Sequence, residues 1–126
     1  MARLIVMFRS DTIREVHVGT EPLKIGRDQS NHIRLDNPAV SRFHAEVYRQ
    51  GYPFFVEDRN STNGVFVNDM LITWKYGLKD GDRITIGKHT LMFREDPADY
   101  PEKQRISLAD IDGTVNMRSN PGKRKV

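Results

Sequence analysis

Short apolar segments recur from residue 3 to residue 94, broken every eight to twelve positions by turn-forming residues. That spacing predicts an all-β sandwich or barrel. The expected strands cover 4–8, 15–18, 23–25, 33–35, 45–48, 54–57, 65–67, 70–72, 83–86 and 89–93. Gln50-Gly51-Tyr52-Pro53 and Asn68-Asp69 read as hairpin turns, and Lys79-Asp80-Gly81-Asp82 as a further reversal. No stretch before position 95 sustains a helical period of apolar residues, so helix is expected to be scarce. Two antiparallel sheets packed face to face would bury the alternating apolar positions and gather the connecting loops at the ends of the sandwich.

After Arg94 the pattern ends. Asp96-Pro97, Tyr100-Pro101 and Asn120-Pro121-Gly122 break the chain among many charges. We therefore expect one domain over 1–95 and a flexible tail over 96–126, with one or two helical turns near 106–112. No internal repeat is visible. The longest apolar run, Leu4-Ile5-Val6-Met7-Phe8, is too short to cross a bilayer, and Arg3 precedes it without a cleavage signal downstream, so the expected location is cytoplasmic.

The chain has no cysteine, which excludes thiolate metal sites and cysteine nucleophiles. His17, His32, His44 and His89 are scattered, without the spacing of a metal site, and no cofactor is expected. The net charge of +3 draws partly on Lys123-Arg124-Lys125, which reads as a solvated end rather than a nucleic-acid arm.

Three clusters carry the candidate chemistry: Gly26-Arg27, then Ser41-Arg42-Phe43-His44, then Asn60-Ser61-Thr62-Asn63-Gly64. An arginine fork, two hydroxyls and an asparagine amide on neighbouring loops supply the donors that a phosphorylated side chain needs. A phosphothreonine brings about −1.5 to −2 charges and three strong acceptor oxygens.

Gly-Arg, Ser-x-x-His and Asn-Gly in this order, followed by Asn68 and by Gly81-Asp82-x-Ile84-x-Ile86-Gly87, resemble the forkhead-associated domain. That family consists of phosphothreonine-recognition modules, and the resemblance covers roughly residues 3 to 94. It implies a two-sheet antiparallel β-sandwich with the three clusters on loops at one end. It assigns Arg27 and Ser41 to the phosphate and Asn63 to the backbone of the bound peptide, with Arg42 and Thr62 as additional contacts. His44 is implied to brace its loop from beneath. Gly26 and Gly64 are read as backbone requirements and Asn68 as a turn residue. The implied partners are phosphothreonine-containing proteins, serine/threonine kinases or their substrates. Preference for threonine over serine has a physical source, since one buried methyl is worth about 0.8 kcal/mol, roughly fourfold.

Two other readings compete. Ser41, His44 and Asp58 suggest a hydrolase, but Ser41 and His44 stand only three residues apart and no Gly-x-Ser-x-Gly elbow is present. The stronger rival is the same fold used for phosphate-independent docking, because fold alone does not establish function. In the tail, Thr114 follows Asp110 and Asp112 and precedes Met117 by three positions. If phosphorylated, Thr114 would let the tail occupy this pocket or that of a second copy, since a flexible linker of about 20 residues spans roughly 25 Å.

Overall fold

A computed structural model describes residues 1–96. The expected helical turns near 106–112, the tail itself and Thr114 lie outside the described residues.

Eleven strands form two sheets, and no helix occurs among the described residues. The first sheet contains β1 (Ala2–Phe8), β2 (Asp11–Val18), β7 (Phe66–Val67), β8 (Met70–Leu71), β10 (Arg83–Ile86) and β11 (His89–Glu95) in the order β2-β1-β11-β10-β7-β8. The second contains β3 (Leu23–Gly26), β4 (Ile33–Arg34), β5 (Ala45–Arg49), β6 (Phe54–Asp58) and β9 (Lys75–Leu78) in the order β4-β3-β5-β6-β9. The expected two-sheet sandwich is thus the observed architecture. Every pairing is antiparallel except β3 with β4, which run parallel.

Period-two alternation explains the layers. Leu4 and Val6 of β1, Ile84 and Ile86 of β10, and Leu91 and Phe93 of β11 are buried on one side. Ile25, Val47, Phe54 and Val56 meet them from the other sheet, with the Phe54 and Phe93 rings 5.4 Å apart across the layers. Leu35, Val40 and Val65 come from the loops and are equally buried, so the core extends beneath the candidate site.

The hairpin at Asn68-Asp69 forms as expected, both residues adopting positive φ (49° and 71°) in the manner of a two-residue primed turn. Arg9 and Ser10 make a second such turn between β1 and β2. Asn68 does more than turn the chain. Its amide nitrogen donates to Asp82 Oδ1 at 2.9 Å, and its carbonyl accepts from the Arg83 backbone at 3.0 Å. The buried Asp82 carboxylate also accepts from the Lys79 backbone N–H at 2.7 Å. One strand escaped the sequence pattern. β9 carries Gly77 at its centre and exposes little apolar periodicity, yet it pairs with β6 across four residues.

Two stability predictions arise here. Asp82→Ala leaves a backbone N–H and an amide donor without partners, and should lower stability by about 2 kcal/mol, seen as a fall of roughly 8 to 16 °C in the thermal midpoint. His89 is buried, packs on Phe8 with ring centroids 5.0 Å apart, and has no partner for Nδ1. Desolvation holds its imidazole below the ordinary value of 6.5. The unfolded chain therefore binds a proton that the folded chain refuses, and the stability that His89 supports above pH 6.5 is lost as pH falls through the lower folded value. Urea midpoints measured at neutral and mildly acidic pH should fall less in His89→Leu than in wild type.

Candidate functional site: three loops around Arg27

β3 ends at Gly26, and the chain then leaves the sheet for six residues before returning in the same direction as β4. The start of this excursion is stitched to the loop after Val40: the Arg27 N–H donates to Ser41 O at 2.9 Å, and the Asp28 N–H donates to Arg42 O at 3.1 Å. The approach is so close that a Cβ at Gly26 would lie 2.2 Å from Arg42 O. Glycine is required there by space alone.

Arg27 is only half exposed. Its Nε donates to Val40 O at 3.0 Å, which fixes the side chain, and its two terminal nitrogens have no partner among the described residues. Ser41 and Thr62 are joined directly, the Thr62 N–H donating to Ser41 Oγ at 3.0 Å. The Thr62 side chain is exposed. Asn63 donates its amide to Ala39 O at 2.8 Å, spanning from the third loop to the second. Arg42 is mostly exposed, 3.7 Å from Asp28 Oδ1, with its guanidinium 6.0 Å from the centre of the Phe43 ring. The Asp28 carboxyl lies below its ordinary range because the Ser30 hydroxyl and backbone donate to it, with Arg42 and Arg34 adding to the effect. It therefore stays ionised and offsets part of the positive charge around Arg27.

His44 is fully buried beneath these loops. Its Nδ1 accepts from the Ser41 backbone N–H at 2.9 Å. That assigns the proton to Nε2, which donates to Gly64 O at 2.8 Å. Gly64 has φ +89°, and a Cβ there would lie 2.6 Å from Leu71 Cδ1. The third loop also fastens itself. Ser61 N–H donates to Asp58 Oδ1, and Gly64 N–H donates to Ser61 Oγ, each at 3.0 Å.

The structure thus brings Arg27, Ser41, Thr62 and Asn63 together, with Arg42 on the rim, His44 below, and Gly26 and Gly64 where the backbone is tightest. Asn68 stands apart, in the hairpin that it closes with Asp82. Several site residues gave no sequence signal. Asn31 donates its amide to both Asp28 O and Arg42 O and so ties the excursion to the second loop. Arg34 donates through Nε to Arg27 O at 3.0 Å. All three acceptors are backbone carbonyls, which no side-chain motif records. Ala39 contributes only a carbonyl.

The geometry suits binding rather than bond breaking. His44 Nδ1 is committed to the Ser41 backbone and not to Ser41 Oγ, so His44 is not placed to activate that hydroxyl. Among the described residues no group of three histidine or acidic side chains could hold a metal. A cavity of about 330 Å³ lies beside the loops, lined by Lys24, Asn31, Phe43, Ala45, Glu46 and Arg59. It does not include Arg27 or Ser41.

A family model described as the FHA domain matches residues 23–87. The transcriptional regulatory protein EmbR of Mycobacterium tuberculosis is 39% identical over 71 residues, covering 56% of this chain and 18% of that protein. The oxoglutarate dehydrogenase inhibitor of Corynebacterium diphtheriae is 43% identical over 72 residues, covering 57% of this chain and 50% of that protein. The chain therefore matches half or less of the length of these curated relatives. A solved structure from an analysis of phosphothreonine-dependent FHA domain interactions aligns with TM-score 0.67 at 30% identity, covering 75% of this chain and 98% of the other. EmbR of M. tuberculosis in complex with a low affinity phosphopeptide aligns with TM-score 0.67 at 33% identity, covering 74% of this chain and 24% of that one. Sandwich, loop constellation and a family match across more than half of the chain agree, and the protein belongs to the forkhead-associated (FHA) domain family.

Proposed function

We propose that this protein is a phosphothreonine-dependent binding adaptor in serine/threonine-kinase signalling, and that it performs no chemistry of its own. One observation carries the reading. Arg27 is fixed through Nε to Val40 O while its terminal nitrogens have no partner among the described residues, and its backbone is bonded to that of Ser41, whose Oγ meets the Thr62 N–H. A guanidinium prearranged in this way meets a phosphate dianion with paired charge-assisted hydrogen bonds and little loss of rotamer freedom.

In this reading Arg27 and Ser41 hold the phosphate, Thr62 completes the wall, and Arg42 adds charge from the rim. Asn63 clamps the peptide backbone: its carbonyl oxygen is unengaged, and its amide has a second hydrogen beyond the one given to Ala39. The related proteins named above, one linked to phosphothreonine-dependent interactions and one bound to a phosphopeptide, support the same class of ligand. Partners would be kinases or kinase substrates in the cytoplasm. Residues 1–95 would form the receptor and 96–126 a tail, in which phosphorylated Thr114 would compete for the pocket in the same or a second copy.

The test is calorimetric titration of a phosphothreonine peptide library into the full chain. The best peptide should bind near micromolar, about −8 kcal/mol, and its unphosphorylated form should not bind. Arg27→Ala should lose about 2 to 5 kcal/mol and Ser41→Ala about 1.5 to 3 kcal/mol of binding, with both variants still melting cooperatively. A phosphoserine version should bind roughly fourfold or more weakly. Equal binding of phosphorylated and unphosphorylated peptides would replace this reading with phosphate-independent docking.

A further inference from the structure

We infer that the Asn63–Gly64 bond is a built-in site of spontaneous modification, at which deamidation of Asn63 converts the peptide clamp into a carboxylate and switches the receptor off. The loss of binding rests on the clamp role proposed for Asn63; the chemistry does not.

Asn63-Gly64 is the only Asn-Gly pair in the chain. Asparagine followed by glycine is chemically labile because no side chain shields the following backbone nitrogen from the amide carbon. Here Asn63 is exposed and stands on a loop. Position 64 keeps the liability because its φ of +89° favours glycine over any residue with a side chain. Position 63 is fixed by the need for an amide.

The reaction runs in two balanced steps. The Gly64 nitrogen loses its proton and attacks Asn63 Cγ; the new C–N bond closes a succinimide as the Cγ–Nδ2 bond breaks and ammonia leaves. Water then opens the ring at either carbonyl, giving aspartate or isoaspartate. Two hydrogen bonds oppose the first step. Gly64 N–H is held by Ser61 Oγ at 3.0 Å, and Asn63 Nδ2 is held by Ala39 O at 2.8 Å. Ser61 therefore acts as a brake on the nucleophile, and Ala39 restrains the electrophilic amide. The product carries a negative charge one residue from Thr62, has no amide donors, and repels the phosphate dianion that the site is built to hold.

The full-length protein should be aged at mildly alkaline pH and physiological temperature, mapped by mass spectrometry, and passed over a phosphothreonine-peptide resin. Asn63 should convert ahead of Asn60 and Asn68, and the converted protein should collect in the unbound fraction. Ser61→Ala should hasten conversion about two- to tenfold, the range expected from one released hydrogen bond. Asn63→Asp should still melt cooperatively yet bind the phosphopeptide at least about tenfold more weakly, as expected for a lost donor facing a charged group. Asn63 remaining intact while Asn60 or Asn68 converts, an unchanged rate in Ser61→Ala, or full retention of the converted protein on the resin would each overturn the inference. If neither form binds the resin, the phosphothreonine reading fails, while the peptide map still decides whether Asn63 is modified.

Discussion

The recognition surface depends on a single buried imidazole. His44 is inaccessible to solvent and uses both ring nitrogens, accepting from the Ser41 backbone and donating to Gly64 O. Those two residues sit on different loops, 23 positions apart in the sequence. Without the ring, a backbone N–H and a carbonyl would be left to find other partners beneath the site. The larger loss would be positional, because the separation of Ser41 from the Thr62–Gly64 segment is set by this bridge and by the Thr62 N–H bond to Ser41 Oγ. An anion receptor built from loops holds its donors in place only if the loops are fastened to one another. His44 also extends the pairing of β5 with its two neighbours in the second sheet, its N–H donating to Ile25 O of β3 and its carbonyl accepting from the Arg59 N–H just beyond β6. It thereby bonds the second cluster to the third directly, and to the strand end that leads into Gly26-Arg27.

The parallel pairing of β3 and β4 creates the arginine's position. Two neighbouring strands that run the same way normally require a long crossover. Here the chain makes the return in the six residues between Gly26 and Ile33, and it manages this because the strands share only two paired positions. An excursion so short has to fold back on itself, and it is held by the Asn31 amide, the Asp28–Ser30 turn and the Arg34 side chain. Arg27 is its first residue. The return is therefore held by polar groups beside Arg27, and the hydrophobic core is left regular.

Much of this was legible in the sequence, for identifiable reasons. The strand pattern shows because Leu4, Val6, Ile84, Ile86, Leu91 and Phe93 alternate with exposed neighbours, and Asn68-Asp69 shows because asparagine and aspartate tolerate positive φ. Arg27, Ser41 and Asn63 could be singled out because their side chains are the chemistry. What stayed hidden works through the main chain. Val40 O, Ala39 O and Arg42 O each hold a site side chain, and any residue type offers a carbonyl. β9 was invisible for a related cause: Gly77 lies opposite Phe55 and lets that ring cover the strand, so tertiary contact replaces the missing apolar pattern. The role of Asn31 was hidden because an asparagine after a serine reads as a turn, whereas here it is nearly buried and bonded to a chain segment eleven residues away.

In the proposed role, the hydrogen bonds that order the free loops would also limit how tightly a phosphopeptide is held. Arg27 gives Nε to Val40 O, Ser41 gives its oxygen to Thr62 N–H, and Asn63 gives one amide hydrogen to Ala39 O before any ligand arrives. Each residue therefore offers a ligand only part of its hydrogen-bonding capacity. The compensation would be entropic, since side chains already fixed would lose little freedom on meeting a phosphate. A receptor arranged this way favours geometry over total contact. It gains discrimination because a group lacking three acceptor oxygens cannot satisfy donors that are unable to move toward it, and it keeps its affinity moderate because few donors remain to be satisfied. In the proposed role both properties would follow from the loops having been tied together first.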